Sequence, residues 1–139
     1  MSLLVNANAS ARIQFAEWSP AANIIAYVLD YNIYLLTVAT NTTTTVTTDG
    51  HKNGMSYGIP DWIYEEEVLS TNYALWWSQD GSKILYGSFD DTQVRDFRFP
   101  FYGSRFNQYT DIISIAYPKP GTPDPVVGLT WSVLMMSAL

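Results

Sequence analysis

Apolar and β-branched residues along this chain come in short runs, and turn-forming residues separate most of them. Residues 24–29, 33–38, 42–48, 74–77, 83–89, 94–99 and 112–116 each read as a strand, because Val, Ile, Thr and aromatic side chains suit a pleated, half-buried surface. Asp30-Tyr31-Asn32, Asp49-Gly50 and Asp80-Gly81 are the clearest turns between them. Short antiparallel strands at this spacing define an all-β class that includes sandwiches, barrels and propellers.

The pattern contains a repeat. Trp18-Ser19-Pro20 leads to Ile25-Ala26-Tyr27 just as Trp77-Ser78-Gln79 leads to Ile84-Leu85-Tyr86, at the same spacing. A propeller blade uses about 40–50 residues, so the distance between the two copies leaves room for an insertion of roughly 10–20. The run Glu65-Glu66-Glu67 lies in that excess. At this repeat length the chain holds about two and a half to three blades, whereas closed propellers use about four to eight. The expected architecture is therefore a partial β-propeller with a short inserted helix carrying the Glu triplet. Unclosed blades would leave strand edges and apolar faces exposed.

Composition narrows the chemistry. A hydrophobic fraction of 47% argues for a folded segment over a disordered one. The net charge of −6, without a basic patch or basic amphipathic helix, disfavours nucleic acid and anionic membrane as partners. With no cysteine there is no disulfide, thiol nucleophile or thiolate metal site, and a single histidine rules out an all-histidine centre. No cofactor is expected.

Residues 1–10 have neither a basic flank nor a long apolar stretch, so they read as a disordered tail and not as a signal peptide or anchor. The apolar residues 126–139 fall short of the ~20 needed to cross a bilayer and read as a buried strand or an exposed sticky end. Asn8-Ala9-Ser10 and Asn41-Thr42-Thr43 fit the glycosylation triplet, which suits a secreted or cell-surface parent.

Two segments look chemical. Gly54-Met55-Ser56-Tyr57-Gly58 has the form of a nucleophile elbow, which needs a strand before the serine, a helix directly after it and a later histidine. Here Ile59-Pro60 follows the second glycine and the single histidine, His51, comes first, so Ser56 reads as a loop serine. The second segment is Asp61-Trp62-Ile63-Tyr64-Glu65-Glu66-Glu67. Alone, a Glu triplet fits a solvated helix face or an acidic first turn. Beside aromatic walls it also fits a cation, and a peptide α-ammonium is one that needs several hydrogen-bond acceptors. Trp62, Tyr64, Trp76 and Trp77 read as packing residues, Glu65 as structural or solvent-facing, and Asp90 and Asp91 as turn residues. Arg95, Arg98 and Arg105 read as scattered surface cations.

The acid motif extended to Val68, together with Ala74-Leu75-Trp76-Trp77-Ser78 and Tyr117-Pro118-Lys119, closely resembles the N-terminal β-propeller region of the dipeptidyl peptidase IV family. The resemblance spans residues 11–127, and residues 128–139 read as a divergent apolar tail. In that family the second and third acids of the triplet grip the free amino terminus of the substrate, which implies that role for Glu66 and Glu67. It also implies that the serine, acid and histidine of catalysis lie in a hydrolase domain missing from this chain, so these 139 residues are not themselves expected to be catalytic. Further implications are a cell-surface or secreted parent, often homodimeric, that releases N-terminal dipeptides. An inactive family member acting as an interaction or channel-auxiliary module would share this region.

Overall fold

The computed structural model describes residues 12–103 and 109–134. The tail at 1–10 with its Asn8 triplet, Arg105 and the end of the apolar tail lie outside the described residues. Four strands, β1 (Ile13–Trp18), β2 (Ile24–Leu29), β3 (Asn32–Thr37) and β4 (Thr42–Thr45), form an antiparallel meander in chain order. A second sheet gathers β5 (Met55–Tyr57), β6 (Leu75–Trp77) and β10 (Val126–Val133) around β7 (Lys83–Asp90). Strands β8 (Asp96–Phe101) and β9 (Asp111–Ala116) pair as a separate hairpin.

The repeated Trp-Ser motif builds the same turn twice. Ala22 N–H donates to Ser19 O at 2.8 Å, and Gly81 N–H donates to Ser78 O at 2.9 Å. In both turns the serine hydroxyl also accepts from the first residue of the next strand, Ile24 N at 3.1 Å and Lys83 N at 2.9 Å. Ala22 and Gly81 occupy equivalent positions with φ of 52° and 69°. Serine is what the motif needs, because its hydroxyl satisfies the strand's first amide without lengthening the loop.

β2 and β3 join through a two-residue turn, Asp30-Tyr31, whose φ values of 47° and 66° match the twist of a tight hairpin. Tyr31 is a bulky residue in the left-handed region, and its backbone is held from both sides. Its N–H donates to Gln14 Oε1 at 2.8 Å and its carbonyl accepts from Tyr57 N at 3.1 Å. Next to it, buried Asn32 donates to Asp30 O and Gly50 O and accepts from Gly50 N and Thr47 Oγ1. One amide thus satisfies a turn and a loop that have no ladder of their own.

Ile24, Ala26, Val28, Ile33 and Leu35 from the first sheet meet Leu75, Ile84 and Tyr86 from the second, so the core lies between the two sheets. β7 takes partners on both edges: β5 and β6 share one, and β10 runs the full length of the other, from Val126↔Asp90 to Val133↔Lys83. The apolar tail therefore begins as a strand, with Leu129, Trp131 and Val133 exposed. Two strands were not expected from sequence. β1 carries a mixed run, and β5 is three residues between Gly54 and Gly58, held by its register on β7.

Leu75 is fully buried and Leu129 is 68% exposed. Leu75→Ala is expected to destabilise the chain by roughly 2–5 kcal/mol in urea unfolding, and Leu129→Ala to change stability by no more than about 0.5 kcal/mol. Equal losses at the two positions would contradict the packing described.

Candidate functional site

The acid-bearing segment begins where β5 ends. Gly58, with φ of 73°, turns the chain out of the sheet, and a side chain there would press on Val28 and Ile33. Ile59, Pro60 and Asp61 are buried and lead into the helical turn Tyr64–Leu69, whose first link is Glu65 N–H to Asp61 O at 2.9 Å. The turn is wound as a π-helix and stops at Ser70 in the left-handed conformation. Bonding from i to i+5 puts more residues in each turn than an α-helix has, so neighbouring side chains diverge by less than the α-helical ~100°. Glu66 and Glu67 therefore project in more similar directions than they would from an α-helix.

Aromatic contacts, and not burial of the turn's own residues, fix its position. Tyr64 meets Phe89 of β7 edge to face at 5.4 Å, and Trp62 meets Tyr117 at 4.9 Å. Beyond the turn, Tyr73 stacks on Phe15 of β1 at 4.9 Å. These residues pack as expected, and Trp77 likewise lies against the core, while Trp76 is 37% exposed. Glu65 is half-buried. Glu66 and Glu67 are exposed and have no hydrogen-bond or ion-pair partner among the described residues. The turn's last residues carry no basic side chain to answer the three acids.

A cleft of about 170 Å³ lies at the foot of this turn, lined among others by Asn53, Ser56, Asp61, Trp62 and Asp91. Glu66 and Glu67 do not line it. Asp91, expected to be a turn residue, does open a turn, its carbonyl accepting from Val94 N at 2.9 Å, but its side chain is buried at 9% exposure; it is the Asp90 side chain that bonds within the turn, accepting from Thr92 N at 2.9 Å and Thr92 Oγ1 at 2.6 Å. Burial pushes the Asp91 carboxyl up to about 7, helped by the nearby charges of Asp61 and Asp90. Burial also raises Asp61, against the lowering effect of the Ile63 and Tyr64 backbone amides. A run of two aspartates after a strand looks like a turn, and only the three-dimensional fold shows that the second faces inward.

Ser56 lies on β5, buried, with its hydroxyl donating to Ile59 O at 3.1 Å, so it is a structural serine. His51 is exposed with Nδ1 3.0 Å from Asp49 O. Arg95 and Arg98 are exposed, as is Asn41 in the β3–β4 turn. No helix among the described residues is long and apolar enough to cross a membrane.

Residues 3–135 match the dipeptidyl peptidase IV (DPP IV) N-terminal region. The chain belongs to the dipeptidyl peptidase IV family. Similar members of that family include a probable dipeptidyl-aminopeptidase B of Neosartorya fischeri, 41% identical over 127 residues that cover 85% of this chain and 14% of the relative. Prolyl endopeptidase FAP of Homo sapiens is 44% identical over 115 residues, covering 83% of this chain and 15% of the relative. The crystal structure of Porphyromonas gingivalis dipeptidyl peptidase 4 superposes with a TM-score of 0.79 at 30% identity, covering 87% of this chain and 17% of that one. The family therefore accounts for the sheets as part of its β-propeller region, and the chain spans about one seventh of the curated relatives it matches.

Asp91 holds its proton more tightly in the folded chain than at its ordinary value of 3.8. Its contribution to stability is thus complete below about pH 4 and lost as pH climbs through about 7. Asp91→Asn, which cannot ionise, is expected to raise the melting temperature at pH 8 in buffer free of divalent ions and to leave it unchanged at pH 4. A variant less stable than the parent at pH 8 would contradict the burial assigned to this carboxyl.

Proposed function

We propose that this chain is a segment of the substrate-recognition propeller of a dipeptidyl peptidase IV-like serine exopeptidase, in which Glu66 and Glu67 bind the free amino terminus of the peptide. The observation that carries the reading is a pair of adjacent exposed carboxylates without partners among the described residues, on a turn fastened by Trp62 to Tyr117 and by Tyr64 to Phe89 of β7. An α-ammonium group is protonated below about pH 8 and has three N–H donors, which two carboxylates can share. Each charge-assisted hydrogen bond contributes about 1.5–3 kcal/mol.

The turn would act as a ruler. With the ammonium fixed, the bond that reaches a nucleophile in a hydrolase domain outside these 139 residues is the one after the second residue. Release of dipeptides follows from that distance, and the name of the Neosartorya fischeri relative agrees with it. The apolar β8–β9 hairpin, with exposed Phe97, Phe101 and Ile112, supports a protein contact such as a homodimer. It is also the feature that favours the second reading, an inactive member serving as an interaction module. Exposed Asn41 is open to glycosylation in a cell-surface or secreted parent.

In the full-length protein that carries this region, Glu66→Gln and Glu67→Gln are each expected to lower kcat/KM for a dipeptide-releasing substrate by roughly tenfold or more, one lost charge-assisted bond. Far-UV circular dichroism should stay unchanged, since neither side chain has a partner among the described residues. Unaltered kcat/KM in both variants would end the assignment, and absence of turnover in the parent would favour the interaction module.

A further inference from the structure

The Asp61–Asp91 cleft is chemically distinct from the exposed acids above it. Asp61 and Asp91 are 8% and 9% exposed, and each has an Oδ1 atom shut off from solvent and without a hydrogen-bond partner among the described residues. The backbone of Asp91 and the side chain of Asp61 are both held by hydrogen bonds. Asp91 N–H donates to Gly54 O at 3.1 Å and its carbonyl accepts from Val94 N at 2.9 Å. Asp61 Oδ2 accepts from Ile63 N at 3.3 Å, and its carbonyl opens the helical turn. Lys52 lines the same cleft, yet it leaves both Oδ1 atoms unpaired.

A buried carboxylate without a partner is costly, and two that repel each other cost more unless a cation lies between them. We propose that Asp61 and Asp91 hold a hydrated divalent cation of the Mg²⁺/Ca²⁺ class in this cleft. The donors are hard oxygens, which select such ions over the softer transition metals. Among the described residues no group of three His, Cys, Asp or Glu side chains forms a protein cage. An ion held by one or two carboxylates with water completing its shell fits that donor set. Asn53 and Ser56, also in the lining, offer neutral oxygens to those waters. Asp61 starts the acid-bearing turn and Asp91 follows β7, so the ion would cross-link the turn to the central strand of its sheet.

Trp62 lines the cleft and can sensitise a bound lanthanide, so titration of the 139-residue chain with Tb³⁺ under tryptophan excitation tests the site directly. The expected result is saturable emission that Ca²⁺ displaces. It should be lost in Asp91→Asn, where removal of one of two carboxylates weakens binding by roughly tenfold or more. It should persist in the Glu66→Gln/Glu67→Gln double variant. Emission retained in Asp91→Asn, or abolished in the double Glu variant, would place the ion elsewhere and overturn the proposal. Asp61 also opens the helical turn, so its variant is not needed for the decision. As a second readout, Ca²⁺ should raise the melting temperature of the unmodified chain, and the absence of both emission and shift would overturn the proposal.

Discussion

Strand β7 is the constraint on which the rest of the second sheet depends. Its backbone is paired on both edges, with β5 and β6 in tandem along one and β10 along the whole of the other. A three-residue strand such as β5 or β6 has too few ladder bonds to persist alone, and each is held in register by the longer strand beside it. The same strand supplies Phe89, fully buried, as the surface on which Tyr64 rests. The position of the acid-bearing turn is thus inherited from a sheet and not from helix propensity, which six residues could not provide.

Polar side chains complete what the sheets leave open. Ser19 and Ser78 close equivalent turns, and Asn32 ties the β2–β3 turn to the loop at Gly50. Asp80 shows the same economy at the surface, where hydrogen bonds from Ser78 and Ser82 hold its carboxyl down at about 2. In each case a short side chain takes over backbone groups that would otherwise need a longer ladder or water.

Much of this was legible in the sequence because it is local. The Trp-Ser repeat encodes a serine-closed turn whose partners are within five residues, and β2, β3 and β7 are dense in β-branched and aromatic side chains. The Glu triplet and its flanking aromatics stand out for the same reason. The features that sequence reading missed depend on distant partners. β5 exists through its pairing with β7, and Asp91 becomes a buried group only because the segment around Gly54 folds over it. Nothing in Asp90-Asp91 as letters separates the residue that caps a turn from the one that faces a cleft.

Two pairs of acids at this end of the fold therefore differ in environment. Glu66 and Glu67 are open to solvent and suited to a ligand that comes and goes, whereas Asp61 and Asp91 are enclosed and suited to a resident charge. The first pair bears the functional reading, and calorimetric titration of the full-length protein with a dipeptide, which offers no bond after its second residue, addresses it without interference from turnover. The free-amine dipeptide is expected to bind about tenfold or more tightly than its N-acetylated counterpart, the equivalent of one charge-assisted hydrogen bond. Equal affinity for the two would contradict the role assigned to these carboxylates.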